Sequence, residues 1–171
     1  MKLNVQTDYS LRLLMFLATK EGGTATIQEA SSRMGLSQTH MMRVAAKLVA
    51  KGFLASSRGR LGGISLAKDA SAITVEHVIR AVEPDFALVE CFAKSKNFCS
   101  IEPACLLKGV LSSALEAFFS ELRTVNLAQL TQRNHAELTA IFRLDDPSWQ
   151  PIAGRVRTTM ASRRSAASGA H

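Results

Sequence analysis

The stretch from Thr26 to Lys68 constrains this chain more than any other. Ile27, Ala30 and Met34 recur at helical spacing behind Thr26, and Glu29 follows Thr26 at the offset of a capping box. Gly35 breaks the run. Ser37 is then placed to cap a second helix running to about Lys51, with Met41, Val44, Ala45, Leu48 and Val49 on its apolar side. Helix, glycine turn and helix make the helix-turn-helix pattern. Two short β-like runs come next, separated by Gly59, Gly62 and Gly63, which reads as a hairpin with Arg58 and Arg60 at its tip. A hairpin placed after a helix-turn-helix is a wing. The expected fold class is mainly α: a winged helix-turn-helix.

Charge agrees with that architecture. Residues 1–70 hold ten Lys and Arg against four Asp and Glu, and between Glu29 and Asp69 there are seven basic residues and no acidic one. An ordinary solvated face mixes both signs, whereas an acid-free basic block is the footprint of a polyanion. Gln38, Thr39, His40, Arg43 and Lys47 lie on the polar side of the second helix, where a recognition helix reaches base edges in a major groove. Arg58 and Arg60 of the wing suit phosphates or a narrow minor groove. Double-stranded DNA is the expected partner.

The rest of the chain extends this unit. Residues 7–20 read as a helix with Thr7 as N-cap, Asp8 at the positive end of the helix dipole, and Leu11, Leu14, Met15, Leu17 and Ala18 inward. Residues 73–83 read as a helix begun by Thr74 and stopped before Pro84. The longest helix is expected over 105–123, where Leu107, Val110, Leu111, Ala114, Leu115, Phe118 and Leu122 form a stripe wide enough to need a second surface. That predicts a homodimer packed through this helix. A shorter helix is expected over 126–136. The domain reading is a DNA-binding unit over 1–83, a cysteine loop over 84–104, a dimerisation and C-terminal helical segment over 105–144, and a disordered tail over 145–171 with Arg155, Arg157, Arg163 and Arg164.

All three cysteines, Cys91, Cys99 and Cys105, fall in one segment with Asn97, Ser100 and Pro103, residues of turns. Three thiolates on one loop suit a soft metal centre but are one ligand short of four. A disulfide with a spare thiol, a zinc site in a protein-interaction module, a thiol-redox switch and three structural cysteines are the alternatives. The chain has no apolar run of membrane-spanning length and no secretory signal pattern, so a cytoplasmic, reducing environment is expected. No phosphate loop, nucleophile elbow or paired-carboxylate arrangement is present, which argues against an enzyme.

Taken together, Thr7-Asp8-Tyr9 on the first helix, the wing Arg58-Gly59-Arg60-Leu61-Gly62-Gly63 and the three-cysteine loop ahead of a long helix resemble the iron–sulfur winged-helix transcriptional repressors, over about residues 1–140. The resemblance implies Cys91, Cys99 and Cys105 as cluster ligands. In the cluster-assembly branch a His stands three residues beyond the third Cys, where this chain has Lys108. In the nitric-oxide-sensing branch an Asp at the start of the first helix, from the partner subunit, completes a [4Fe-4S] site. Asp8 matches it, and Ile101-Glu102-Pro103-Ala104-Cys105 also resembles that branch. The implied function is a repressor whose cluster reacts with nitric oxide and so releases a palindromic operator. A [2Fe-2S] cluster, and the iron-responsive branch that shares the Glu90-Cys91-Phe92 context, are the alternatives.

Overall fold

The computed structural model describes residues 3–57, 59, 62–93 and 99–149. Its elements are α1 (Val5–Thr19), β1 (Thr24–Ala25), α2 (Ile27–Arg33), α3 (Gln38–Ala50), β2 (Leu54–Ser57), β3 (Gly63–Leu66), α4 (Val75–Val82), α5 (Leu106–Arg123), α6 (Leu127–Gln132) and α7 (His135–Ile141). The expected winged helix-turn-helix is there, with α2 and α3 as the helix pair and β2–β3 as the wing.

Local signals set most boundaries. Thr26 and Thr74 cap α2 and α4, accepting from the Glu29 and His77 amides at 3.0 and 3.2 Å. Asn126 and Gln129 form a reciprocal capping box on α6. The start of α1 differs from expectation. Asn4, not Thr7, is the N-cap and accepts from the Gln6 amide at 2.9 Å, while Thr7 lies inside the helix and is fully buried. The Thr7 hydroxyl is drawn inward by the Glu83 carboxylate at 2.5 Å, a partner 76 residues away.

The wing pairs antiparallel from Leu54↔Leu66 to Ser57↔Gly63. β1 extends it to a three-stranded sheet in the order β1-β3-β2. This third strand was not expected, because two residues carry no period. Gly63 is required at its junction with β3: a Cβ there would stand 2.7 Å from the Ala25 carbonyl oxygen.

The main core gathers Leu13, Leu14, Phe16 and Leu17 of α1 with Met41, Val44 and Leu48 of α3, Phe53, Val78, Val82 and Leu127. Burying each such side chain contributes roughly 1.5–3 kcal/mol. A second cluster joins Val75 and Ile79 of α4 to Phe119 of α5, where Phe86 meets Phe119 edge-on at 4.9 Å and the Arg80 guanidinium lies 3.6 Å from the Phe119 ring centroid. α4 therefore faces both clusters and joins the DNA-binding unit to the long helix. Glu76 fixes that join, accepting from Arg123 and Arg80 at 2.8 Å each. These bonds, Arg123's first, lower the Glu76 pKa to about 2.

α5 is less covered than its stripe suggests. Only Phe119 is fully buried, while Leu106, Leu107 and Val110 stand 88, 59 and 64% exposed. Among the described residues no helix is long and apolar enough to cross a membrane. The expected tail lies outside the described residues from 150 onward. Before that, 145–149 fold into a turn in which Ser148 donates to Asp146, and Trp149 rests on Arg33 of α2.

Candidate functional site

α3 presents Gln38, Thr39, His40 and Arg43 to solvent because Met41, Val44, Ala45 and Leu48 seat its other face in the core. Its N-terminal turn, the part that reads bases in a helix-turn-helix, is therefore open. Lys47 differs from expectation. It is half-buried, and its ammonium donates to the Val82 carbonyl at 2.6 Å, so it closes the end of α4 instead of facing outward. Arg58 and Arg60 lie outside the described residues. Gly59 between them adopts φ 113°, and its carbonyl accepts from Gly62 at 2.9 Å, forming the tight turn the glycines predict.

Asp8 is half-exposed in the first turn of α1, and Arg12 holds both of its carboxylate oxygens at 3.0 and 2.8 Å. An exposed pair of this kind contributes little to stability and exchanges readily. Arg12 also leans on the Tyr9 ring at 6.0 Å, and Tyr9 lies 6.5 Å from His40, centroid to centroid. The start of α1 thus adjoins the start of the recognition helix. Tyr9 has no polar pattern around it that would have marked it from sequence.

The cysteine loop leaves α4 at Glu83-Pro84. Cys91 sits in a single helical turn, Glu90–Phe92, and Cys105 follows another, Glu102–Ala104, where it forms the N-cap of α5. All three cysteines are half-buried and none forms a disulfide. Lys108, one turn into α5, is held above the ordinary lysine range by the Glu102 carboxylate first, with smaller contributions from Cys91 and Cys105. The structure thus brings Cys91 and Cys105 to one cation at a helix N-terminus, an electropositive setting suited to anionic ligands. A cleft of about 710 Å³ opens beside them, lined by Arg80, Glu83, Phe86, Phe92, Cys105 and Lys108.

The donor set fits a thiophilic centre in kind: soft sulfur ligands on a loop, next to fixed positive charge. Cys99 is separated from Cys91 by residues 94–98, outside the described set, and among the described residues no three His, Cys, Asp or Glu side chains stand within reach of one metal ion. Asp8 of the same chain is not part of this loop; it is engaged by Arg12.

One junction joins the two halves. Glu83, the last residue before the loop, accepts from the Asn4 amide at 3.1 Å and the Thr7 hydroxyl at the start of α1. Val82 beside it accepts from Lys47 of α3. The chain therefore enters the cysteine loop from a point tied to both the recognition helix and the helix bearing Asp8. Neither tie carries a sequence signal, since each links residues distant in the chain.

Comparison with known proteins agrees with this arrangement. Residues 3–133 match a family model described as Rrf2, iron-dependent transcriptional regulator. The HTH-type transcriptional regulator NsrR of Oceanobacillus iheyensis is 41% identical over 146 residues, covering 85% of this chain and 99% of that protein. NsrR of Bacillus subtilis is 38% identical over 147 residues, covering 85% of this chain and 100% of that protein. Among solved structures, IscR of T. potens superposes with a TM-score of 0.60 at 23% identity, covering 78% of this chain and 88% of that one. Oxidized CymR of Staphylococcus aureus gives 0.60 at 25% identity, covering 76% and 95%.

Proposed function

The chain belongs to the Rrf2 family of iron-dependent transcriptional regulators, and on that premise we propose that it is a repressor that leaves its DNA operator when nitric oxide reaches an iron–sulfur cluster on its cysteine loop. Cys91, Cys99 and Cys105 are its ligands, and Asp8 of the partner subunit is the fourth, which favours [4Fe-4S] over [2Fe-2S]. The similarity to NsrR proteins over most of the chain supports the nitric-oxide reading.

The observation that carries the reading is the junction at Val82-Glu83. A loop bearing every cysteine begins at the residue that holds α1, beside the carbonyl that holds α3. When bound, the cluster supplies an iron centre that reacts with nitric oxide. The chain's own residues do the rest. The cysteines pin the loop, Lys108 offsets their negative charge, and Glu83 with Lys47 passes a change in loop position to the start of α1 and to the recognition helix. A coupling of about 3 kcal/mol between the two sites changes DNA affinity by roughly 150-fold.

The exposed face of α5 supports the homodimer. Leu106, Leu107 and Val110 form a contiguous apolar surface that a second copy would cover. Two recognition helices then read a palindromic operator.

The test is purification without oxygen in the presence of iron, followed by visible absorption, iron content and DNA binding before and after nitric oxide. A coloured protein that bleaches and releases DNA is expected. Cys99→Ala should lose the colour while keeping its helical circular dichroism. A colourless, iron-free protein that still binds the operator tightly overturns the cluster reading. The family's iron dependence favours one second reading, iron-status sensing through the same cysteines; there, chelation of iron releases DNA and nitric oxide does not.

A further inference from the structure

α7 is packed back onto the helix-turn-helix, and its end is built in unusual detail. Phe142 meets Phe16 edge-on at 5.3 Å in the main core. The helix then closes with paired bonds, Arg143 to the Ala140 carbonyl at 3.0 Å and Leu144 to the Thr139 carbonyl at 2.9 Å. This turn places its αL position on Arg143, at φ 52°, where glycine is the usual residue. A side chain there is strained, so the surroundings must hold it.

Arg33, the last residue of α2, does so. Its guanidinium donates to the Phe142 carbonyl at 3.0 Å and to the Arg143 carbonyl, and it pairs with Glu29 at 3.1 Å. Its outer face is covered by Trp149 at 4.1 Å, the chain's one tryptophan. Cation–π contact with Trp is the strongest of its kind. The chain is therefore delivered, at residue 149, to the helix-turn-helix itself. Beyond that point the composition is distinct: residues 150–171 contain Arg155, Arg157, Arg163 and Arg164 and no Asp or Glu. The alignment with the O. iheyensis relative covers 99% of that protein but 85% of this chain, so this chain carries residues that relative lacks.

We infer that residues 150–171 form a second DNA contact, gripping backbone phosphates beside the site read by α3, with Arg33–Trp149 as the anchor that aims them. The inference rests on the DNA-binding reading and adds to it a surface outside the winged helix. Reach is sufficient: at 1.5 to 3.4 Å per residue, about 20 residues span roughly 30 to 70 Å, against a helix diameter of about 10–12 Å. Arginine suits the task because its planar fork pairs with phosphate oxygens two at a time.

The test uses the full chain with Arg155, Arg157, Arg163 and Arg164 all changed to Gln, and a fluorescein-labelled duplex of arbitrary sequence, titrated by anisotropy across a range of salt. The slope of log affinity against log salt should fall by about 0.9 for each arginine engaged, and two engaged arginines should cost roughly tenfold or more in affinity at low salt. The melting temperature should not change. Trp149→Ala, which keeps the arginines, should weaken binding several-fold at an almost unchanged slope. A fourfold variant with wild-type slope and affinity overturns the inference, and one that binds tighter shows that the segment covers the interface instead, which overturns it as well. Wild-type affinity in Trp149→Ala overturns the anchor. Because the unmodified chain is titrated alongside, failure of the DNA-binding reading appears separately, as a wild type that does not bind.

Discussion

Lys47→Met separates two roles that its position leaves open in the sequence. A lysine on the polar side of a recognition helix reads as a phosphate ligand, yet here its Nζ lies 2.6 Å from the Val82 carbonyl oxygen. Methionine keeps most of the aliphatic stem and removes the donor. The bond lost is charge-assisted, in the range of about 1.5–3 kcal/mol, and partial exposure puts it near the lower end. It also sits at the C-terminus of α4, where a cation is favoured by roughly 0.3–1 kcal/mol. A loss of about 1.5–2 kcal/mol should lower the melting temperature by roughly 3–8 °C in a chain of this size. The assays are thermal unfolding by circular dichroism and the salt dependence of duplex binding. A reduced melting temperature with an unchanged salt slope is expected. An unchanged melting temperature with a slope smaller by about 0.9 would mean that Lys47 contacts phosphate, and the relay through Val82 would be refuted.

Other consequences can be checked by equally simple means. The Glu76 carboxyl has its pKa lowered to about 2 by Arg123 and Arg80, below its ordinary value of 4.5. Its contribution to stability is thus complete above pH 4.5 and is lost as pH falls from 4.5 toward 2; Glu76→Gln should flatten that part of the melting-temperature profile. Gly63→Ala should destabilise by about 1–3 kcal/mol, read as a lower denaturation midpoint, because its Cβ meets the Ala25 carbonyl at 2.7 Å and neither backbone can withdraw. Val110→Glu, on the exposed face of α5, should leave the melting of the single subunit intact while converting a dimer to a monomer in sedimentation equilibrium.

Much of this molecule is written in short-range chemistry. Thr26, Thr74 and Asn126 mark helix starts because each needs only an amide two or three residues ahead. The apolar period of α3 sets its buried face, and therefore the outward face of Gln38, Thr39, His40 and Arg43, without reference to anything distant. The wing forms because its glycines permit the turn, and the clustering of all three cysteines in one loop is a property of the sequence itself.

Tertiary structure decided what those pieces hold onto. Thr7 looked like a cap and became a buried partner of Glu83; Lys47 looked like a DNA ligand and became a brace for α4. β1 forms because β3 offers it an edge, and Arg33 is bound by carbonyls more than a hundred residues away. A charged or hydroxyl side chain has several equally good local uses. Its choice is made by whichever distant group folding brings within about 3 Å, and no spacing along the chain encodes that distance. The route from cysteine loop to recognition helix consists of such contacts, so the sequence determined its two ends and only the folded chain determined how they are joined.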